Sequence, residues 1–142
     1  MNTLRLIHRR FAVLAAALAS SPAVARRLIA TIAAGRSPIQ AFATPDGNFM
    51  YVANRGTERE PDNAVSVIDT RRNVVVKTLT TDCGAHGVVV SDDGSRVFIA
   101  NVFANTASTI DATTQRVIGK VRVGTSPGGI TYRPASRLAQ MV

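Results

Sequence analysis

Tyr51-Val52-Ala53-Asn54, followed after a loop by Ala64-Val65-Ser66-Val67-Ile68-Asp69-Thr70, occurs twice in this chain. The second copy reads Phe98-Ile99-Ala100-Asn101, then Ala107-Ser108-Thr109-Ile110-Asp111-Ala112. The turn before each copy is Pro45-Asp46-Gly47 and Asp92-Asp93-Gly94, which puts 47 residues between the two glycines. The aspartates that end the third run, Asp69 and Asp111, are 42 residues apart. The five-residue difference places one insertion in the loop Arg55 to Asn63. A third, incomplete copy starts at Gly124-Thr125-Ser126-Pro127 and matches Gly35-Arg36-Ser37-Pro38. A period in the forties built from short strands indicates propeller blades, because helical solenoids at that period carry long amphipathic segments instead.

The strands read locally as well. Phe49 to Ala53 and Val97 to Ala100 are short apolar runs of β-branched and aromatic residues bounded by Gly and Asn. Val65-Ser66-Val67-Ile68 alternates as a half-buried strand does. Val74 to Leu79 and Val117 to Val123 mix charges with valines and suit an outer, partly solvated strand. In Pro45-Asp46-Gly47 the proline presets φ and the glycine supplies a positive φ. Asp69 and Asp111 are expected to fold their carboxylates onto nearby backbone N–H groups as Asx turns, a structural rather than a catalytic role.

Gly-x-x-Pro, then Pro-Asp-Gly, then Tyr-Val-Ala-Asn, then Val-Ser-Val-Ile-Asp-Thr resembles the YVTN-family β-propeller repeat over Arg27 to Pro134. The resemblance implies four-stranded antiparallel blades around a central channel. The sequence departs from the pattern at Ala85, where Pro38 and Pro127 stand in the other copies, at Asp92 in place of Pro45, and at Ala107-Ser108-Thr109, where valines are expected. The fold expected is all-β, a partial β-propeller. Blade one takes 35–81, blade two 82–123 and a partial third 124–134. Arg27 to Ile32 aligns with the fourth strand at Arg116 to Val121, and Gly128 to Tyr132 is expected as a lone first strand. Residues 135–142 form a tail.

The N-terminus reads as a targeting segment. Arg5, Arg9 and Arg10 precede the apolar run Phe11 to Ala19, which is too short to span a bilayer. Ala23-Val24-Ala25 is an A-x-A cleavage signal, so residues 1–25 are expected as a signal-peptide helix cleaved after Ala25, and the protein as periplasmic or extracellular with no stable membrane span. Net charge is +8, three of those charges being Arg5, Arg9 and Arg10. The remaining basic residues are scattered without aromatic interleaving, which argues against nucleic acid as a partner. Cys83 is the single cysteine, so no intramolecular disulfide forms.

Propeller geometry gathers the loops between strands four and one, and between strands two and three, on one disc face around the channel mouth. That face holds the candidate ligand-binding residues His86, Cys83, Asp82, Arg36, Arg55, Arg59, Phe103 and Asn105. The other face receives the Asp-Gly turns and the loops after Asp69 and Asp111. Cys83-x-x-His86 offers two metal ligands, but a structural site needs four and a catalytic zinc site three. The mixed-sign insertion is either a solvated loop or a specificity loop over the channel mouth. No nucleophile elbow, Walker loop, zincin helix or dinucleotide fingerprint is present. No catalytic residue, metal or cofactor is assigned. The leading expectation is an exported, non-enzymatic binding or scaffold module for a protein, peptide or glycan. The alternatives are part of a propeller enzyme of quinoprotein-like or lactonase-like kind, and a truncated fragment without independent function. Two blades do not close a ring. A piece of a larger propeller, a homo-oligomer completing the ring, and an open two-blade unit all remain open.

Overall fold

The structure, a computed structural model, describes residues 28–134. The expected signal peptide and the tail from 135 lie outside the described residues. Eight strands follow in order: β1 (Pro38–Ala43), β2 (Phe49–Gly56), β3 (Pro61–Asp69), β4 (Val74–Thr80), β5 (Ala85–Val90), β6 (Arg96–Asn101), β7 (Thr106–Asp111) and β8 (Arg116–Arg122). They form two four-stranded antiparallel meanders, β1-β2-β3-β4 and β5-β6-β7-β8, each paired in sequence order. The expected all-β class holds.

The two sheets share two of their irregularities. The register shifts between Pro38 and Gln40 in the first sheet and between Ala85 and Gly87 in the second, and again at Val67/Ile68 and Thr109/Ile110. Asn73 and Gln115 take positive φ in the equivalent turns. The Asx turns form as expected. Asp69 Oδ1 accepts the N–H groups of Arg71 and Arg72, and Asp111 Oδ1 accepts that of Thr114. In the Asp-Gly turns Thr44 donates its hydroxyl to Asp46, and Ser91 donates to Asp93.

One apolar core joins the sheets. Tyr51, Ala53, Val65, Val67 and Leu79 of the first pack against Ala85, Val88, Val90, Val97, Ile99 and Ile110 of the second. Strand alternation explains the split, since residues two apart share a face. Even-numbered Val52 and Ile68 face the other way, where Ile32 covers them. The N–H of Val88 donates to Gln40 Oε1 at 3.1 Å, tying β1 to β5. The outer strand β8 is exposed along its whole length, as its mixed charges and valines predict.

Three expectations change. Residues 28–34 make no ladder; the segment carries one isolated bridge, at Ala33, while Ala30, Ile32 and Ala34 pack on the first sheet. Gly128 to Tyr132 is not a strand of either sheet, because a strand requires a paired edge; Tyr132 instead stacks on Phe98 at 5.8 Å. The loop from Arg55 to Asn63 is mostly hairpin: β2 continues to Gly56 and β3 begins at Pro61, with Gly56 opposite Pro61. Proline is tolerated as the first residue of a strand. Ala107-Ser108-Thr109, the departure from the valine pattern, lies within a complete β7.

Candidate functional site

At one edge of both sheets four connections meet: the segment before β1, the β2–β3 hairpin, the β4–β5 turn and the β6–β7 turn. Arg55 N–H donates to the Ser37 carbonyl at 3.1 Å, and Gly84 N–H to the Asp62 carbonyl at 2.7 Å. Ala104 N–H reaches the Cys83 carbonyl at 3.2 Å, and Ser126 N–H donates to Asn105 Oδ1 at 2.8 Å. Every candidate loop is therefore tied to the next, across the boundary between the sheets.

Arg55 owes its place to a bulge. The register of β2 against β3 shifts between Asn54 and Gly56, which puts Arg55 out of the ladder. Its guanidinium carbon lies 5.1 Å from the centroid of the Phe103 ring, a cation–π contact between the two sheets. Phe103 in turn closes on Gly84, which has φ +79° and whose Cβ, were there one, would stand 2.5 Å from that ring. Gly56, at φ +69°, makes the turn that follows; a Cβ there would collide with the backbone of Glu60 to Asp62.

Arg36 is engaged elsewhere. Its side chain pairs with Glu60 at 3.0 Å in solvent, and its N–H donates to Asp62 Oδ2 at 2.9 Å. Asp62 also accepts the N–H of Ala64, so one side chain secures both the entry to β1 and the start of β3. Sequence reading passed over Asp62 as one acid in a charged loop. The Asp-Asn-Ala spacing of an Asx turn was the available signal.

Asp82 turns away from this cluster. Its carboxylate accepts from Lys120 Nζ at 2.9 Å and from the Thr106 hydroxyl at 2.8 Å. The Lys120 hydrogen bond is the main reason its carboxyl is held below the usual 3.8, against a smaller opposing effect of burial. Cys83 is exposed and free. His86 lies on the inner strand β5, half-buried, with Nδ1 enclosed and without a hydrogen-bond partner among the described residues. The structure thus joins Arg55 to Phe103 and does not gather Asp82, Cys83 and His86 into one cluster. No group of three His, Cys, Asp or Glu able to hold a metal ion occurs among the described residues. Likewise, no helix among them is long and apolar enough to cross a membrane.

What remains open to a ligand is a pocket of about 670 Å³ lined by Ser37, Pro38, Ile39, Arg55, Gly56, Thr57, Glu58 and Arg59. Arg59 was a candidate; the apolar wall of Pro38 and Ile39 was not. Ile39 is 46% exposed although it sits on an inner strand. At the opposite edge a second hollow of about 360 Å³ lies among the Asp-Gly turns, at Asp46, Asp93 and Thr113. Its carboxylates already serve the turns that carry them.

No family model matches the chain, and no curated protein does. Solved structures do match. The chain is similar to hydrazine synthase of Kuenenia stuttgartiensis at 22% identity and TM-score 0.60, over 66% of this chain and 25% of that one. It is similar to apo AztD from Citrobacter koseri at 14% identity and TM-score 0.57, over 69% of this chain and 26% of that one. It also matches the Myceliophteria thermophila Cps50 (Swd1) β-propeller domain at 14% identity and TM-score 0.58, over 68% of this chain and 28% of that one. The two sheets are blades of a β-propeller. The chain spans about a quarter of the length of these structures. At such identity the likeness concerns the fold, and function has to be argued from the site.

Proposed function

We propose that this chain is a non-enzymatic binding module of YVTN-type propeller blades, exported through residues 1–25, that holds a peptide or protein partner on the face carrying the Arg55 pocket. Blade one would then occupy 35–81 and blade two 82–123. The observation that carries the reading is the knitting of that face. Loops from both blades are cross-bonded, and Arg55 is stacked on Phe103 between them, around a pocket of a size that takes side chains or a small ligand. Rigid support under its loops is what a recognition surface needs, because it lowers the ordering cost of binding.

The test is selection of peptides from a displayed library against the purified chain, followed by hydrogen exchange on the complexes. Slowed exchange at 36–39, 55–60 and 102–105 is the expected result. Protection confined to the Asp-Gly turns at 45–48 and 92–95, or no selected binder at all, overturns the reading. Export is checked separately: the secreted protein should begin at Arg26, and intact Met1 in the cytoplasm would refute it.

A further inference from the structure

The ligand chemistry of the pocket can be taken further, and this step rests on the binding-module reading. We infer that the Arg55 pocket recognises a carboxylate carried next to an apolar side chain, on an acidic peptide segment.

Two arginines stand against one acid at the pocket. Among the described residues three ion pairs form, and they use Arg36, Arg96 and Lys120. Arg55 and Arg59 enter none of them, while Glu58 is the single acid among the lining residues. Arg55 is also positioned in advance. Its backbone is held by Ser37 and its guanidinium carbon sits over the Phe103 ring, while its Nε, enclosed, has no acceptor within the described residues. A guanidinium fixed on an aromatic ring has lost the freedom that usually opposes pairing, and its fork of N–H donors matches the two oxygens of a carboxylate.

The remaining wall selects what carries the carboxylate. Pro38 and Ile39 are apolar and Ile39 is exposed, so a hydrocarbon group beside the acid removes that surface from water. A sugar acid fits less well. Glycans dock their faces on open aromatic rings, and no aromatic residue lines this pocket; the Phe103 ring beside Arg55 is engaged by its guanidinium. Nucleic acid would require several spread basic contacts, and here two arginines are offset by Glu58.

The test uses end-blocked peptides of equal length with repeated Leu-Glu, Leu-Gln or Leu-Lys pairs, a phosphoserine version of the first, and an oligogalacturonate, titrated by calorimetry. The Leu-Glu peptide should bind at least tenfold more tightly than the Leu-Gln peptide. Arg55→Gln should abolish that preference without changing the circular dichroism, and Arg55→Lys should recover only part of it. Arg116→Ala, which removes the same charge from the distant β8, should leave the preference intact. Equal binding of Leu-Gln or Leu-Lys, or a preference that survives Arg55→Gln, overturns the carboxylate assignment and leaves the binding-module reading standing. Tighter binding of the phosphoserine peptide replaces carboxylate by phosphate. Binding of oligogalacturonate alone overturns the peptide assignment. No binding by any probe sinks this inference, whereas the library selection decides the broader reading independently.

Discussion

Tyr51 and Phe98 occupy the same place in the two blades, on the face turned toward the next blade along the chain. Tyr51 is fully buried in the core between the blades, while Phe98 is half-exposed and covered by the stacked ring of Tyr132. The positions around them diverge in the same sense. Leu79 is 6% exposed and its counterpart Val121 is 61% exposed. Val65 and Val67, fully buried, correspond to Ala107 and Thr109, which are smaller or more polar. The second blade therefore bears a less apolar forward face than the first. Ala107 and Thr109, the departures from the valine pattern, lie on that face. Ser108 matches Ser66 of the first blade: its hydroxyl accepts from the buried Asn101 side chain at 2.9 Å, as Ser66 accepts from Asn54 at 3.0 Å.

The comparison breaks most readily at its two aromatic residues. Tyr51→Ala should destabilise the chain by about 3–5 kcal/mol, the usual cost of emptying a buried aromatic site. Phe98→Ala should cost about 1 kcal/mol, because a stacked, half-exposed ring has less to lose. Urea unfolding of both variants decides it, and equal losses would mean that the forward face of blade two is covered in solution. A milder change sharpens the same point. The Tyr51 hydroxyl is buried without a partner among the described residues, and burial pushes its pKa up, with Asp111 adding to the effect. Tyr51→Phe should therefore be neutral or stabilising.

The junctions before each blade offer the next contrast. Ser37, Gly84 and Ser126 stand at equivalent positions and all take positive φ. Serine is accepted at two of them, but at Gly84 the Phe103 ring and backbone occupy the space. Gly84→Ser, which merely copies the other two junctions, should cost about 1–3 kcal/mol through overpacking and should also release Arg55 from its ring. Thermal unfolding reports the first effect. Loss of the carboxylate preference reports the second.

Those examples mark where sequence reading succeeds and where it stops. Strands, turns and the two-blade repeat were legible because each is written in adjacent residues: the period of two, the Asp-Gly turns, the Asx aspartates. Of the candidate site, the gathering of the loops at one edge was legible and the contacts were not. Arg55 meets Phe103 only because β2 bulges after Asn54, and a bulge leaves no clear mark in a sequence already carrying an insertion. Asp62 and Asp82 look alike in one dimension. The first secures two loops of blade one, and the second pairs with a lysine 38 residues away.

Asp82 in turn differs from its counterpart Gly35. Glycine is required at 35 because a Cβ there would stand 2.5 Å from the Asn54 side chain. At 82 an aspartate fits and joins Lys120 to Thr106, which itself accepts from Asn101. Asp82→Ala should cost less than about 1 kcal/mol, since the Lys120 pair is half in water. A loss of several kcal/mol would show that the chain of bonds to buried Asn101 acts as one unit.

The smallest expected effect separates the blades by acid. Asp93 is held down to about 2, first by the Ser91 hydroxyl and then by the Ser95 backbone; Asp46, its equivalent, is lowered by Thr44 and Asn48. In each case the folded carboxyl is the stronger acid, so between the unfolded value near 3.8 and the folded one the unfolded chain binds more protons. The stabilisation is fully present above 3.8 and is lost as pH falls through that window toward about 2. Asp93→Asn keeps an acceptor for the turn but cannot titrate, so its midpoint in urea should fall less steeply with pH over this range than the wild type's. Asp46→Asn should do the same in blade one. A wild-type slope unchanged by either variant would mean that the turns remain partly formed in the unfolded chain. The two Asp-Gly turns, which look so alike in sequence, would then act before the blades assemble rather than after.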